Sequence, residues 1–316
     1  RIFFQIKIML PLRYTFFAAL LVLATSFASA QTAKKSGRVS TPAPTGAPLI
    51  KADIGAFPDK TERLDLFLLI GQSNMKGRGF MPEKAKNDPR IIMMHLPSDG
   101  WFNARHPLHL TGDAKTFKGH DNAGVGSGLM FAEKIAEASE GSRIGLIPAA
   151  RGGTKIAQWS EKSALYTNAI RKVKLALEQG PAGKTKLRGV LWLQGEGDSN
   201  EEKIPLYADA LSDLVDRLRA DLADPTLPFI AATIGELVEK ANSGHKRKIN
   251  EILLDLPNQN PTLPASTRAM SKVISATGRT TTPPRWKKLA AALRSSFWSW
   301  RRSEKEMMFF EMTDKD

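Results

Sequence analysis

The stretch that most constrains this chain is Leu66-Phe67-Leu68-Leu69-Ile70 running into Gly71-Gln72-Ser73-Asn74-Met75. Five consecutive apolar residues without three-and-four spacing, closed by glycine, describe a strand buried on both faces of a parallel sheet. Open α/β sheets place their chemistry just past the carboxyl ends of such strands. Ser73 therefore has two readings. It is either a cap for the next segment, since Ser, Asn and Gly are ordinary turn residues, or a reactive hydroxyl.

The alternation of patterns continues downstream. Strands are expected at Leu64–Ile70, Ile91–His95, Arg143–Pro148, Gly189–Gln194 and Pro228–Ile234. Helices with apolar spacing of three and four are expected at Gly128–Ala138, Ala164–Gln179, Pro205–Leu222 and His245–Leu256. Strands separated by helices imply βαβ units with right-handed crossovers. The expected fold is a three-layer α/β/α sandwich on a parallel, flavodoxin-like sheet, filling residues 64–261 as one domain.

Both ends differ from this body. Met9 to Arg13 precedes an almost wholly apolar run, Thr15 to Phe27, that ends in Ala28-Ser29-Ala30. That pattern reads as a signal peptide over residues 1–30, too short for a stable membrane span, and points to a secreted or periplasmic protein. Residues 1–8 lie before the first methionine and read as over-extended translation. Residues 31–63, rich in Thr, Ala, Pro, Lys and Ser, read as a linker. With no cysteine in the chain, export is not coupled to a disulfide scaffold.

The net charge of +14 invites a nucleic-acid reading. Residues 1–63 carry nine basic and three acidic side chains, and residues 262–316 carry eleven and five, which leaves about +2 for residues 64–261. The expected folded body is nearly neutral, so neither a nucleic-acid partner nor a stable membrane span is expected of it.

Four polar segments fall on the expected carboxyl rim: Gly71-Gln72-Ser73-Asn74, Gly124-Val125-Gly126-Ser127-Gly128, Ala150-Arg151-Gly152-Gly153-Thr154 and Gln194-Gly195-Glu196-Gly197-Asp198. The words GQSNM, GVGSGLMFA, ARGGTKIAQW and WLQGEGDSN resemble the SGNH hydrolases. Within them the likeness is to carbohydrate acetylesterases, a group that includes sialate O-acetylesterase and a family of acetylxylan esterases. The resemblance covers about residues 64–260. It implies an acetylated carbohydrate substrate, no cofactor, and Ser73 as nucleophile.

Ester cleavage by serine needs a base and donors aimed at the oxygen that becomes negative. Ser73 supplies one backbone N–H. Gly126 offers a second, because a residue without Cβ lets backbone approach substrate closely. The resemblance makes the Gln194 side-chain amide the third. The expected substrate pocket comprises Gln72, Asn74, Arg151, Gly152, Gly153, Thr154, Trp159 and Glu196. Trp159 either stacks on a sugar face or is a buried structural residue. Glu196 and Asp198, two apart on a loop, are expected to orient neighbouring groups rather than to act as a glycosidase pair. The spacing Gly124-x-Gly126-x-Gly128 is not a dinucleotide fingerprint, and no His and carboxylate set has metal-ligand spacing.

The base is where the chain departs from the pattern. SGNH esterases carry Asp-x-x-His near the carboxyl end, and no such motif follows Asn260. His95, His106, His109 and His120 come too early, with His120 beside Asp121 the one worth testing, and His245 reads as a solvated surface residue. From Thr262 the composition changes, with half of the six tryptophans and little strand or helix logic. We expect a shift of reading frame near Pro261, because the neighbouring frame across Ala276 to Thr282 permits the family's missing Asp-x-x-His motif. Taken as written, residues 262–316 replace the end of the domain. The chain then has no recognisable triad and little expected activity, and a non-catalytic carbohydrate-binding protein becomes the alternative.

Overall fold

The computed structural model describes residues 63–79, 81, 88–111, 123–139, 141–235, 243–256 and 271–274. Seven strands form one sheet: β1 (Arg63–Gly71), β2 (Ile91–Met94), β3 (Trp101–Asn103), β4 (Ser142–Pro148), β5 (Thr185–Leu193), β6 (Phe229–Ala232) and β7 (Ser271–Ile274). Their order is β3-β2-β4-β1-β5-β6-β7. All neighbours are parallel except β3, which runs antiparallel to β2. Setting aside the β2–β3 pair at one edge, the five remaining strands run second, first, third, fourth, fifth. That is the flavodoxin-like order.

The helices are α1 (Ser73–Lys76), α2 (Ser127–Glu137), α3 (Ala164–Gln179), α4 (Ile204–Asp221) and α5 (Ser243–Asp255), with a 3₁₀ turn at Ile156–Trp159. Right-handed crossovers put α2, which links β1 to β4 across the β2–β3 excursion, on one face of the sheet. They put α3, α4 and α5 on the other. The result is the expected three-layer sandwich.

β1 lies at the centre because its side chains leave no face for water. Leu64 and Leu66 to Leu69 are wholly buried, and the strand pairs with β4 as far as Leu69↔Pro148 and with β5 as far as Gly71↔Leu193. Phe67 meets Phe131 of α2 edge-on, ring centroids 4.9 Å apart. The polar exception, Asp65, is also buried, and Arg188 of β5 donates to it from Nε at 2.7 Å. A buried carboxylate is tolerated only with such a partner. In α3, Lys172 is fully buried; its Nζ donates to the Leu96 carbonyl at 2.8 Å and to the Asp99 carboxylate, tying the helix to the turn between β2 and β3.

Two strands escape the sequence pattern. β3 is three residues long, and β7 lies in the segment expected to lack strand logic, yet pairs with β6 from Phe229↔Ser271 to Ala232↔Ile274. Ser-Lys-Val-Ile offers no apolar run to detect. The pairing adds a strand that lies beyond Pro261. β5 also starts at Thr185, earlier than Gly189, because its polar first half pairs with β1 through a register shift between Leu66 and Phe67. The expected signal peptide, almost all of the linker, His120, Asp121 and residues 275–316 lie outside the described residues.

Candidate active site

The end of β1 is locked before Ser73 begins. Gly71 has φ 130°, and a Cβ there would sit 2.3 Å from the Leu193 carbonyl oxygen, so no other residue fits. Gln72 N–H donates to Leu193 O at 2.9 Å and Arg151 N–H to Gly71 O at 3.0 Å. The chain then makes the single turn α1, closed by Lys76 N–H to Gln72 O and Gly77 N–H to Ser73 O. Ser73 is half-buried at the junction of β1 and β5. There the chain order reverses across the sheet, where open α/β sheets bind ligands.

A short ladder brings Gly126 to this turn. Gly79 and Val125 exchange hydrogen bonds at 2.9 and 3.0 Å, and Gly124 N–H donates to Gly77 O at 3.1 Å. Gly126 itself has φ −135°, extended backbone open to any residue. Its reason for being glycine is proximity: a Cβ would come within 3.1 Å of Gly77 Cα and 3.2 Å of Met75 O. Among the described residues no acceptor takes the backbone N–H of Ser73 or of Gly126.

Beneath the turn lies a buried polar network joining the loops after β1, β4 and β5. Gln194 is fully buried, and its Nε2 donates to Asp198 Oδ2 at 2.6 Å, faces Thr154 O at 3.1 Å and Gln72 Oε1 at 3.4 Å. Asp198 Oδ2 also accepts the Ile156 N–H at 2.9 Å, and Gln72 Oε1 accepts the Gly197 N–H at 3.3 Å. Thr154 Oγ1 donates to Arg151 O at 2.9 Å.

Several expected roles change on this geometry. Both hydrogens of the Gln194 amide face buried acceptors and its Oε1 is buried without a partner, so this arrangement leaves no donor for a developing oxyanion. Gln72 and Thr154 are buried beneath the pocket rather than lining it. Trp159 is 1% exposed. It packs edge-on against Trp192 at 5.6 Å, with its Nε1 donating to Thr154 Oγ1 at 3.4 Å. It is the buried structural residue, because a ring with no exposed face has none to offer a sugar.

The surface of the site is formed by Asn74, Arg151, Gly152, Gly153 and Glu196, all at least partly exposed. Gly152 makes room for Arg78, whose Nη2 lies 3.0 Å from where a Cβ would stand. Asn74 Nδ2 donates to Glu196 Oε1, while Glu196 Oε2 is buried without a partner. Burial pushes the Glu196 carboxyl above its usual range, opposed by its own backbone N–H, by Asn74 and by the charge of Lys246 on α5. Lys246 has no sequence signal: only the packing of α5 brings its first turn to this rim.

No described histidine is hydrogen-bonded to Ser73. His95 pairs with Ser98 Oγ at 2.7 Å, and His245 lies 3.8 Å from Glu201. Burial lowers His106 to about 4 and His109 to about 3, so both are neutral. Among the described residues no three His, Cys, Asp or Glu side chains cluster to hold a metal, and no helix is long and apolar enough to cross a membrane.

Sheet order and rim loops together define the class, an SGNH-type α/β/α fold. A family model described as carbohydrate esterase, sialic acid-specific acetylesterase, matches residues 63–281, and the chain belongs to that family. An Arabidopsis thaliana protein named "Probable carbohydrate esterase At4g34215" is 32% identical over 212 residues, 62% of this chain and 76% of the relative. The crystal structure of that Arabidopsis protein superposes with a TM-score of 0.59 at 26% identity, covering 75% of this chain and 98% of its own. The structure of NanS shares the fold at 16% identity, with a TM-score of 0.56 over 76% of this chain and 98% of its own.

Proposed function

We propose that this chain is an exported serine esterase that removes acetyl groups from carbohydrates of the sialate or xylan type, with Ser73 as nucleophile. The observation that carries the reading is that the ladder from Gly77 and Gly79 to Gly124 and Val125 brings Gly126 to the Ser73 turn, and that among the described residues no acceptor takes the backbone N–H of either Ser73 or Gly126. Attack of Ser73 Oγ on the ester carbonyl places negative charge on the carbonyl oxygen, and those donors stabilise it. Collapse transfers the acetyl group to Ser73 and releases the sugar hydroxyl, and water then frees acetate. Asn74, Arg151, Gly152 and Glu196 line the approach.

The attack needs a base. The neighbouring reading frame, which permits Asp-x-x-His, supplies the triad partners that residues 262–316 as written lack. The test measures acetate released from O-acetylated sialic acid and acetylated xylan by the chain as written, by a frame-restored version and by Ser73→Ala in each. Weak release from the first, strong release from the second and none from the Ser73→Ala variants is the expected result. Sugar binding that survives Ser73→Ala, with no acetate from either version, supports the carbohydrate-binding alternative instead.

A further inference from the structure

We infer that Asp198 is the positioning residue of this site, the anion that holds three rim loops in the arrangement the Ser73 turn requires. The inference rests on the esterase reading and extends it to a residue that touches no substrate. Asp198 is 1% exposed, and among the described residues no cation is paired with it. A carboxylate taken out of water costs several kcal/mol unless donors meet it. Here the donors are N–H groups from two different loops, Ile156 after β4 and Gln194 after β5, both on Oδ2.

An ionised carboxylate only accepts hydrogen bonds, so Asp198 dictates which way the Gln194 amide lies. Its nitrogen must face Asp198, and that same nitrogen then meets Thr154 O and Gln72 Oε1. Turning the amide over would set Gln194 Oε1 against three acceptors. Gln72 in turn takes the Gly197 N–H and immediately precedes Ser73. One anion thus sets the relative placement of the loops after β1, β4 and β5, and reaches the nucleophile through Gln194 and Gln72.

The test compares Asp198→Ala and Asp198→Asn in the full chain, reading amide hydrogen exchange together with kcat and KM for acetate release. For Asp198→Ala, exchange rises about tenfold or more in residues 71–77 and 151–159, while 64–70 and 187–193 keep their protection. In the frame-restored version kcat falls on the order of tenfold to a hundredfold at little-changed KM. Asp198→Asn, which keeps one acceptor oxygen in place, recovers most of both. A rise confined to residues 195–200, or one spread over every strand, overturns the inference, as does an Asp198→Ala enzyme with unchanged kcat. Exchange that follows the expected pattern in a protein releasing no acetate from any acetylated sugar keeps the positioning role and overturns the esterase reading.

Discussion

Asp99→Asn isolates one charge in the fold. Asp99 sits at φ 53° in the turn between β2 and β3. Its carboxylate accepts from Arg171 at 2.6 and 3.1 Å and from the buried Lys172. Asparagine tolerates the left-handed region, so the substitution removes charge without straining the turn. Lys172, 0% exposed, would then keep the Leu96 carbonyl but lose its anion. Stripping one partner from a buried pair costs about 3–5 kcal/mol, whereas the half-exposed Arg171 contributes at most about 1. At roughly 2–4 °C per kcal/mol for a domain of this size, the expected fall in Tm is roughly 6–20 °C.

Lys172→Met removes the buried charge and leaves Asp99 paired with Arg171, so it should cost less than about 2 kcal/mol. Circular-dichroism melts of the three proteins at neutral pH measure both. Burial by itself would raise the Asp99 carboxyl, but hydrogen bonds from Arg171 and Lys172 hold it below its usual 3.8. Its contribution is therefore present above that value and lost as pH falls through the lower folded one, and Asp99→Asn should flatten that acid limb. A Tm within about 2 °C of wild type, or Lys172→Met as damaging as Asp99→Asn, would refute the account.

Two further outcomes follow from buried groups near the site. Because burial raises Glu196, its ionisation above the ordinary 4.5 is disfavoured in the folded state and stability falls as pH rises through that window. Glu196→Gln, which still accepts from Asn74, should melt higher than wild type at pH about 7 and show a flatter profile in melts from about pH 4 to 7; a lower Tm at pH 7 would count against this. His109, wholly buried with Lys76 and His106 nearby, is held neutral with a value of about 3 against 6.5 in the unfolded chain. Keeping it neutral at pH 5 costs roughly 2 kcal/mol, so stability is lost as pH drops below 6.5. Denaturant titrations at pH 7 and 5 should show His109→Leu losing about that much less between the two, and an equal loss would overturn the assignment.

Much of the architecture is legible in the chain because its cause is local. Leu66 to Ile70 has one way to hide five side chains, and the spacing of Tyr166, Ala169, Ile170, Val173 and Ala176 places one face of α3 against the sheet. The rim segments were legible too, since each glycine-rich turn follows an apolar run. β3 and β7 were not, because three or four residues at or near an edge carry no periodicity of their own. The burial of Trp159 was equally invisible: a Trp on a loop reads the same whether Trp192 or a sugar lies against it.

The sequence by itself determined the α/β alternation, the resemblance to carbohydrate esterases and the placing of Ser73 at a strand's end, all set by residue type and spacing along one segment. Only the tertiary structure decided that the Gln194 amide turns inward, that Glu196 meets Asn74, and that Asp198 accepts from both Ile156 and Gln194. Those facts depend on which strand ends become neighbours. β1 and β5, 114 residues apart at Gly71 and Thr185, lie side by side because the chain crosses the sheet in both directions, and hydrogen-bond partners are chosen only once that crossing is made.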